Sequence, residues 1–506
     1  MVTRVTSQSI QNTVLSNIFR ITEDLFKAQQ EIASGKRVNK PSDDPSALRD
    51  GLSLRTSLSQ AQQFIRNIDN NRIFLQSTDS ALQSVGLGMT RAKELSISEL
   101  GGTSTAQTRG FAAVEINKIL SQVLEAGNTQ VKNLYIFGGT KTRTIPFLAS
   151  ASGAVYQGNS ESFRIEIAQN STLGLTLPGS QVLGADLDPA ITTATPLSDL
   201  NGGKGIPTGQ FTITDRAGNS ANIAVASGAT LGSLISSINA AGVNVTASIN
   251  SNGNGLKLVD TSSGVTQAMS ISEVGGGTTA ASLGILGQRQ GTLEGTDLNP
   301  ALNASTLISD LNGGGGLTLG DISILNGAAS GTVSLSAAST VGDVINQINA
   351  SGLNVTASIN SGGNVLRVDS NNSATVAVVN DIGTGTTAEN LGLGGGRNVI
   401  QTLFQLKAAL EKNDSFGIIG SLQNLDKGLD SINESRALVG ATLRRVESTT
   451  TEHNQDIVDQ TQQLSNLIDS DPIKAASDLA ALEVALNATL NTTARILQPT
   501  LLDFLR

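Results

Sequence analysis

The stretch EIASGKRVNKPSDDPSALRD, residues 31–50, breaks a long amphipathic run close to the start of the chain. Two helix signals stand back to back within it. Gly35 can adopt the left-handed conformation that ends a helix, and Lys36 and Arg37 follow at the negative pole of that helix. Asp44 stands where an N-cap belongs and Pro45 at the first helical position, where a missing N–H costs nothing. Pro41 biases its neighbour away from helical backbone and keeps the gap open. The segment predicts helix, loop and helix again.

Upstream, Val14, Ile18, Ile21, Leu25, Ala28 and Ile32 recur in alternating steps of four and three, the repeat of a coiled-coil stripe. Leu15, Phe19, Thr22 and Phe26 form a second, adjacent stripe, more apolar face than one partner helix covers. At the far end Leu479, Leu482, Leu486, Leu490, Thr493, Leu497, Leu501 and Phe504 keep almost the same spacing. Two readings are open on spacing alone: ordinary core helices, or termini that pair with each other and with neighbouring subunits.

Downstream, Leu48, Leu52, Leu58, Ile65, Ile68, Leu75, Leu82, Val85 and Met89 continue the helical pattern until Gly101 and Gly102 stop it. Val114, Ile116, Ile119, Leu120, Val123 and Leu124 mark another helix. NLYIFGGTKTRTIPF (133–147) and SFRIEIAQNSTLGLTLPGSQVL (162–183) alternate with period two and predict strands and hairpins.

The middle of the chain repeats itself. LSDLNGGKGI at 197 returns as ISDLNGGGGL at 308, NVTASIN at 244 returns unchanged at 354, and GTTAASLGI at 277 returns as GTTAENLGL at 385. Each copy reads as strands, a short helix and further strands. Leu231, Leu234, Ile235 and Ile238 line the first helix, and Val341, Val344, Ile345 and Ile348 the second. Thr230 and Thr340 stand as N-caps, and Gly242 and Gly352 follow the helix ends. From Val399 the helical pattern resumes. The fold expected is multidomain α + β: long terminal helices forming a coiled-coil base and helical rod, a β-rich rod section, and two tandem α+β modules at the tip.

Composition narrows the function. At 506 residues the chain exceeds one ordinary core. A net charge of −9 argues against a nucleic-acid partner bound through a basic footprint. No run is long and apolar enough for a membrane partner, and residues 1–13 lack a charged-then-apolar signal, so the chain stays inside or leaves by a route that reads no hydrophobic leader. Cysteine is absent.

Little supports catalysis, a metal or a cofactor, and none is expected. The sole histidine, His453, lies on a polar helical face and reads as a solvated surface residue. NGGKGIPTG (201–209) lacks the ending of a phosphate-binding loop, and Gly315 replaces Lys204 in the second copy; these are turns. Asp199 and Asp310, and Asp260 and Asp369, recur without the oxygen density calcium requires and read as Asx-turn caps. Asn244 and Asn354 head Asn-x-Ser/Thr-like motifs inside an expected strand. The chain reads as a protein that acts by assembling.

EIASGKRVNKPSDDPSALRDGLSLRTSL (31–58) resembles the amino-terminal signature of the bacterial flagellin superfamily, through Ser34, Gly35, Lys36, Arg37, Asn39, Pro41, Ser42, Asp43, Asp44 and Pro45. VGATLRRVE (439–447) and residues 471–506 are similar to that family's paired terminal helices. The resemblance covers about residues 1–185 and 396–506. Within the family, NLYIFGGTKTRTIPF, AVYQGN (154–159), LTLPGSQVLG (175–184) and the terminal LLDFLR are nearer to the branch that joins hook to filament than to filament subunits. The repeats resemble a module inserted in some members of either branch.

The resemblance implies a domain scheme. Residues 1–40 and 466–506 form a terminal coiled coil, disordered in the monomer; 41–185 and 396–465 a helical rod with hairpins; 186–295 and 296–395 the two modules. It makes Gly35, Lys36, Arg37, Asp43, Asp44 and Pro45 an inter-domain joint. It makes Val14, Ile18, Ile21, Leu25, Ile32, Leu479, Leu482, Leu486, Leu490, Leu497, Leu501 and Phe504 an assembly interface. The partners implied are further copies in a homo-oligomeric ring, an adjoining hook-associated protein, flagellin, and a cytoplasmic export chaperone on the C-terminal helix. The location implied is the extracellular flagellum, reached by type III export. A filament subunit is the alternative, and an adhesin or enzyme displayed through residues 186–395 a third reading.

Overall fold

A computed structural model describes residues 7–150, 153–263 and 267–496. It divides into two compact units, Met1–Asn70 with Glu166–Ser171 and Val446–Arg506, and Asn71–Ile165 with Thr172–Arg445.

In the first unit the N-terminal helix, Ser7–Ser34, lies antiparallel against the C-terminal helix, Pro472–Ile496. The helix Pro45–Glu99 begins here, and the helix Ser415–Ile468 ends here. His453 is not solvated as its polar neighbours suggest. Its side chain is 12% exposed, its Nε2 lies 2.7 Å from the Ile167 carbonyl, and its ring stacks on Phe64 at 5.5 Å. A polar helical face reads as surface until another segment covers it.

The second unit has a helical core. Ala106–Gly127 packs along Val399–Glu411. Ile116, Leu120, Leu403, Leu406, Leu82 and Met89 are buried there. Gly428 lies close against this core: a Cβ on it would stand 2.7 Å from Met89 Cε and displace the end of that side chain.

The expected strands over 133–147 and 162–183 shrink to short pieces: Leu134–Tyr135, Phe147–Ser150, Gly153–Tyr156, Arg164–Ala168 and Ser171–Gly174. The LTLPGSQVL part is loop with a 3-10 turn at Gly179–Gln181. Its alternation arises because Leu175, Val182 and Leu183 are pinned into the core, not because a strand forms. Phe147 is the anchor. Asn128 accepts from its N–H and donates to its carbonyl, both at 2.9 Å, imitating a strand neighbour. The buried Tyr156 hydroxyl donates to the Phe137 carbonyl at 2.8 Å and lies 3.0 Å from the Asn159 carbonyl. Gly158 is obligatory, because a Cβ would fall 2.2 Å from that hydroxyl.

The repeats fold alike. In the first copy Ser220–Val225, Gly209–Thr214, Met269–Glu273 and Gly287–Arg289 pair antiparallel in that order. Val245–Ile249, Leu256–Asp260 and Thr292–Glu294 form a second sheet. In the second copy Ala329–Ser334, Asp321–Asn326 and Ala377–Asp381 pair, as do Val355–Ile359 and Leu366–Ser370. The helices Leu231–Asn239 and Val341–Asn349 open on capping boxes, Thr230 with Ser233 and Thr340 with Asp343. Asn244 and Asn354 precede their strands rather than lying inside them.

Candidate assembly interface

The joint is built from both ends of the chain. Gly35 has φ +67°, and its N–H bonds the Glu31 carbonyl at 2.9 Å, closing the N-terminal helix. Asp44 accepts the Ala47 N–H at 3.0 Å, and Pro45 is the first residue of the next helix. Asp43 accepts the N–H groups of Lys40 at 2.8 Å and Asn39 at 3.1 Å, folding the loop back on itself. These donors hold both carboxyls below the usual range: the Lys40 N–H foremost for Asp43, and the Ala47 N–H foremost for Asp44, with Arg37 adding charge.

Arg37 serves a different helix from the one it follows. Its guanidinium donates to the Leu467 carbonyl at 2.7 Å and its backbone N–H to the Ile468 carbonyl at 2.8 Å. It therefore caps the C-terminus of Ser415–Ile468, and its Nη1 lies 3.5 Å from Asp44. Lys36 forms a β-bridge with Asp469. Val38, Ala47 and Ile468 are buried together beneath the loop.

Sequence reading missed the loop's counterpart. Asp471 accepts the Ile473 N–H at 2.9 Å, and Pro472 opens the C-terminal helix, the same grammar as Asp44 and Pro45. Ser470 donates to Glu31 at 2.6 Å and bonds the Gly35 carbonyl through its N–H at 3.0 Å. The signal was present as an Asp-Pro pair, Asp471-Pro472, just ahead of the last apolar stripe.

Beyond the joint the two terminal helices share one face. Val14, Ile18, Ile21 and Leu25 are half-buried and Ala28 is buried. Across from them Leu479, Leu482 and Leu486 are half-buried and Ala475 is buried. Ile32 and Leu490 lie outside this contact, exposed by 43% and 47%. Leu497, Leu501 and Phe504 lie outside the described residues. The second stripe stays open: Leu15, Phe19 and Phe26 face solvent, Phe19 with 72% of its surface, as do Ile473 and Val484 on the other helix. The helix pair thus covers one apolar face and leaves the other bare, the kind of surface that marks protein–protein contacts.

Among the described residues no group of acidic and histidine side chains is arranged to hold a metal, and no helix is long and apolar enough to cross a membrane. Of the repeated aspartates, Asp260 makes the expected Asx turn onto Ser262 at 2.8 Å. Asp369 instead pairs with Arg367; the backbone carbonyls of Asp199 and Asp310 hold the Ala301 and Ala190 N–H groups at 2.7 Å, and the Asp199 carboxylate also accepts from Asn303 at 2.9 Å.

Residues 5–142 match the bacterial flagellin N-terminal helical region, 422–505 the bacterial flagellin C-terminal helical region, and 321–372 the flagellin hook IN motif. Flagellar hook-associated protein 3 of Salmonella typhimurium is 26% identical over 185 residues, 36% of this chain and 57% of that protein. The Escherichia coli protein of the same name is 27% identical over 182 residues, 35% of this chain and 56% of that one. The chain thus spans little more than half the length of these relatives. The solved flagellar junction protein of Legionella pneumophila is 15% identical, over 83% of this chain and 99% of that one, with a TM-score of 0.34, too low to carry any argument.

Proposed function

This chain belongs to the bacterial flagellin superfamily, and from that membership we propose that it is a structural adaptor joining a hook-associated protein to the flagellin filament. The observation that carries the reading is the bare apolar stripe of Leu15, Phe19 and Phe26 beside an already paired face, an unmet surface that drives ordered association. In this reading copies of the chain form a ring, with the adjoining hook-associated protein on one side and flagellin on the other. The chain is a flagellar component that travels unfolded through the type III export channel, its C-terminal helix held by a cytoplasmic chaperone until then. Residues 1–40 and 466–506 form the assembling base, 41–185 and 396–465 the section above it, and 186–295 and 296–395 the modules.

Two features favour an adaptor over a filament subunit: the names of the relatives above, and the Phe147–Tyr156 anchor, whose sequence resembles the junction branch. Deleting the gene tests it. Cells left with hooks, no filaments and flagellin in the medium support the adaptor; filaments that persist overturn it, as does growth of long filaments from the purified protein alone.

A further inference from the structure

The segment before the first module, ADLDPAI (185–191), and the segment between the modules, TDLNPAL (296–302), are alike. Their leucines do not go where their order in the chain suggests. Leu187 precedes the first module but is buried in the core of the second, among Ile322, Val355 and Leu393. Its N–H bonds the Asn364 carbonyl at 2.9 Å. Four residues on, Ile191 enters the core of the first module, its N–H on the Gly253 carbonyl at 2.8 Å. The second segment mirrors this. Leu298 is buried in the first module with its N–H on Asn254, and Leu302 in the second with its N–H on Gly363, at 2.8 and 2.6 Å.

Each crossing is gripped by a turn of the module it leaves. Asn312 and Gly313 donate to the carbonyls of Leu187 and Asp188 at 2.8 and 2.7 Å; Asn201 and Gly202 donate to those of Leu298 and Asn299 at 2.6 and 2.7 Å. The repeated Asn-Gly-Gly turns hold left-handed backbone at all three positions of both copies, which aims their N–H groups together.

We propose that the two modules are a reciprocally exchanged pair, in which each core is closed by a leucine from the segment that leads into the other. The chain reaches the second module first, crosses to the first, returns and leaves from the second, where Asn398 accepts the Ala185 N–H at 2.8 Å. The second module is also bound to the helix Ser415–Ile468, through Lys427 to Asp381 at 2.9 Å and Asn424 to the Val379 carbonyl at 3.0 Å. The first module is therefore the removable one. Excising 188–298 joins Leu187 to Asn299 and leaves Leu187 and Leu302 anchored on adjacent carbonyls, a gap the three residues between them span. This inference is independent of the adaptor role.

Hydrogen exchange on the full-length chain, read peptide by peptide, tests it. Leu187→Ala speeds exchange in 302–393 by about thirtyfold or more and leaves 192–297 near wild type, and Leu298→Ala does the reverse. The excision variant keeps wild-type protection over 303–393. Loosening of only the module that follows the substituted leucine overturns the proposal, as does equal loosening of both modules by either substitution, or loss of protection after excision.

Discussion

Gly35 holds a left-handed backbone with nothing within 4 Å of where a Cβ would stand, so a side chain there meets conformational strain and no clash. Gly35→Ala is expected to cost about 1 kcal/mol, and Gly35→Asn clearly less, in thermal unfolding of the first unit. Asp43 and Asp44 carry folded-state pKa values below their ordinary ones. Their contribution is present above the ordinary carboxylate range and is lost as pH falls through the lowered values. Asp186, at the first crossing, has the opposite sign. Burial first, then the neighbouring Asp188, with Asp297 adding and Lys141 opposing, pushes it up to about 7. Its protonated form belongs to the folded state, so stability is full below the ordinary 3.8 and falls as pH rises through 7. The module pair should resist urea better at pH 5 than at pH 8, and Asp186→Asn should flatten that difference. Caps at Gly35, Asp44 and Pro45 were legible because a cap uses atoms within four residues of itself. The acceptor of Arg37 was not, since Leu467 lies at the other end of the chain.

At the level of elements, the two stripes of the N-terminal helix have separate duties. Val14, Ile18, Ile21 and Leu25 lie on the face turned to the C-terminal helix, while Phe19 and Phe26 face outward. Substituting Phe19 and Phe26 together by Ser should leave helix content and melting of the purified monomer unchanged, yet abolish incorporation into flagella, scored by electron microscopy of complemented cells. Leu479→Ala should lower the melting of the first unit itself, because its partners are in the same chain. Periodicity made both stripes visible, and the repeat made the modules visible. It failed at residues 133–147 and 175–183, where alternation reflects side chains pinned around Phe147 rather than ladder pairing. Two residues of strand at Leu134–Tyr135 are all that pairs between 133 and 146.

For the whole molecule, the second module and the helices it rests on form one structure, while the first module is held through two crossing segments and contacts such as Asn254 with Glu161 at 2.9 Å. Cells producing only the chain without 188–298 should still build filaments and swim; failure to do so with the second module folded would place an assembly contact in the first. Helix ends, apolar stripes, the module repeat and the family were written in the sequence, because each depends on residues close together or on patterns that recur. Tertiary structure alone decided which helix end Arg37 caps, which segment covers His453, and which module Leu187 completes. Those pairings join residues far apart in the chain, and only packing, which buries one apolar surface against another of matching shape, selects among the partners local chemistry leaves equal.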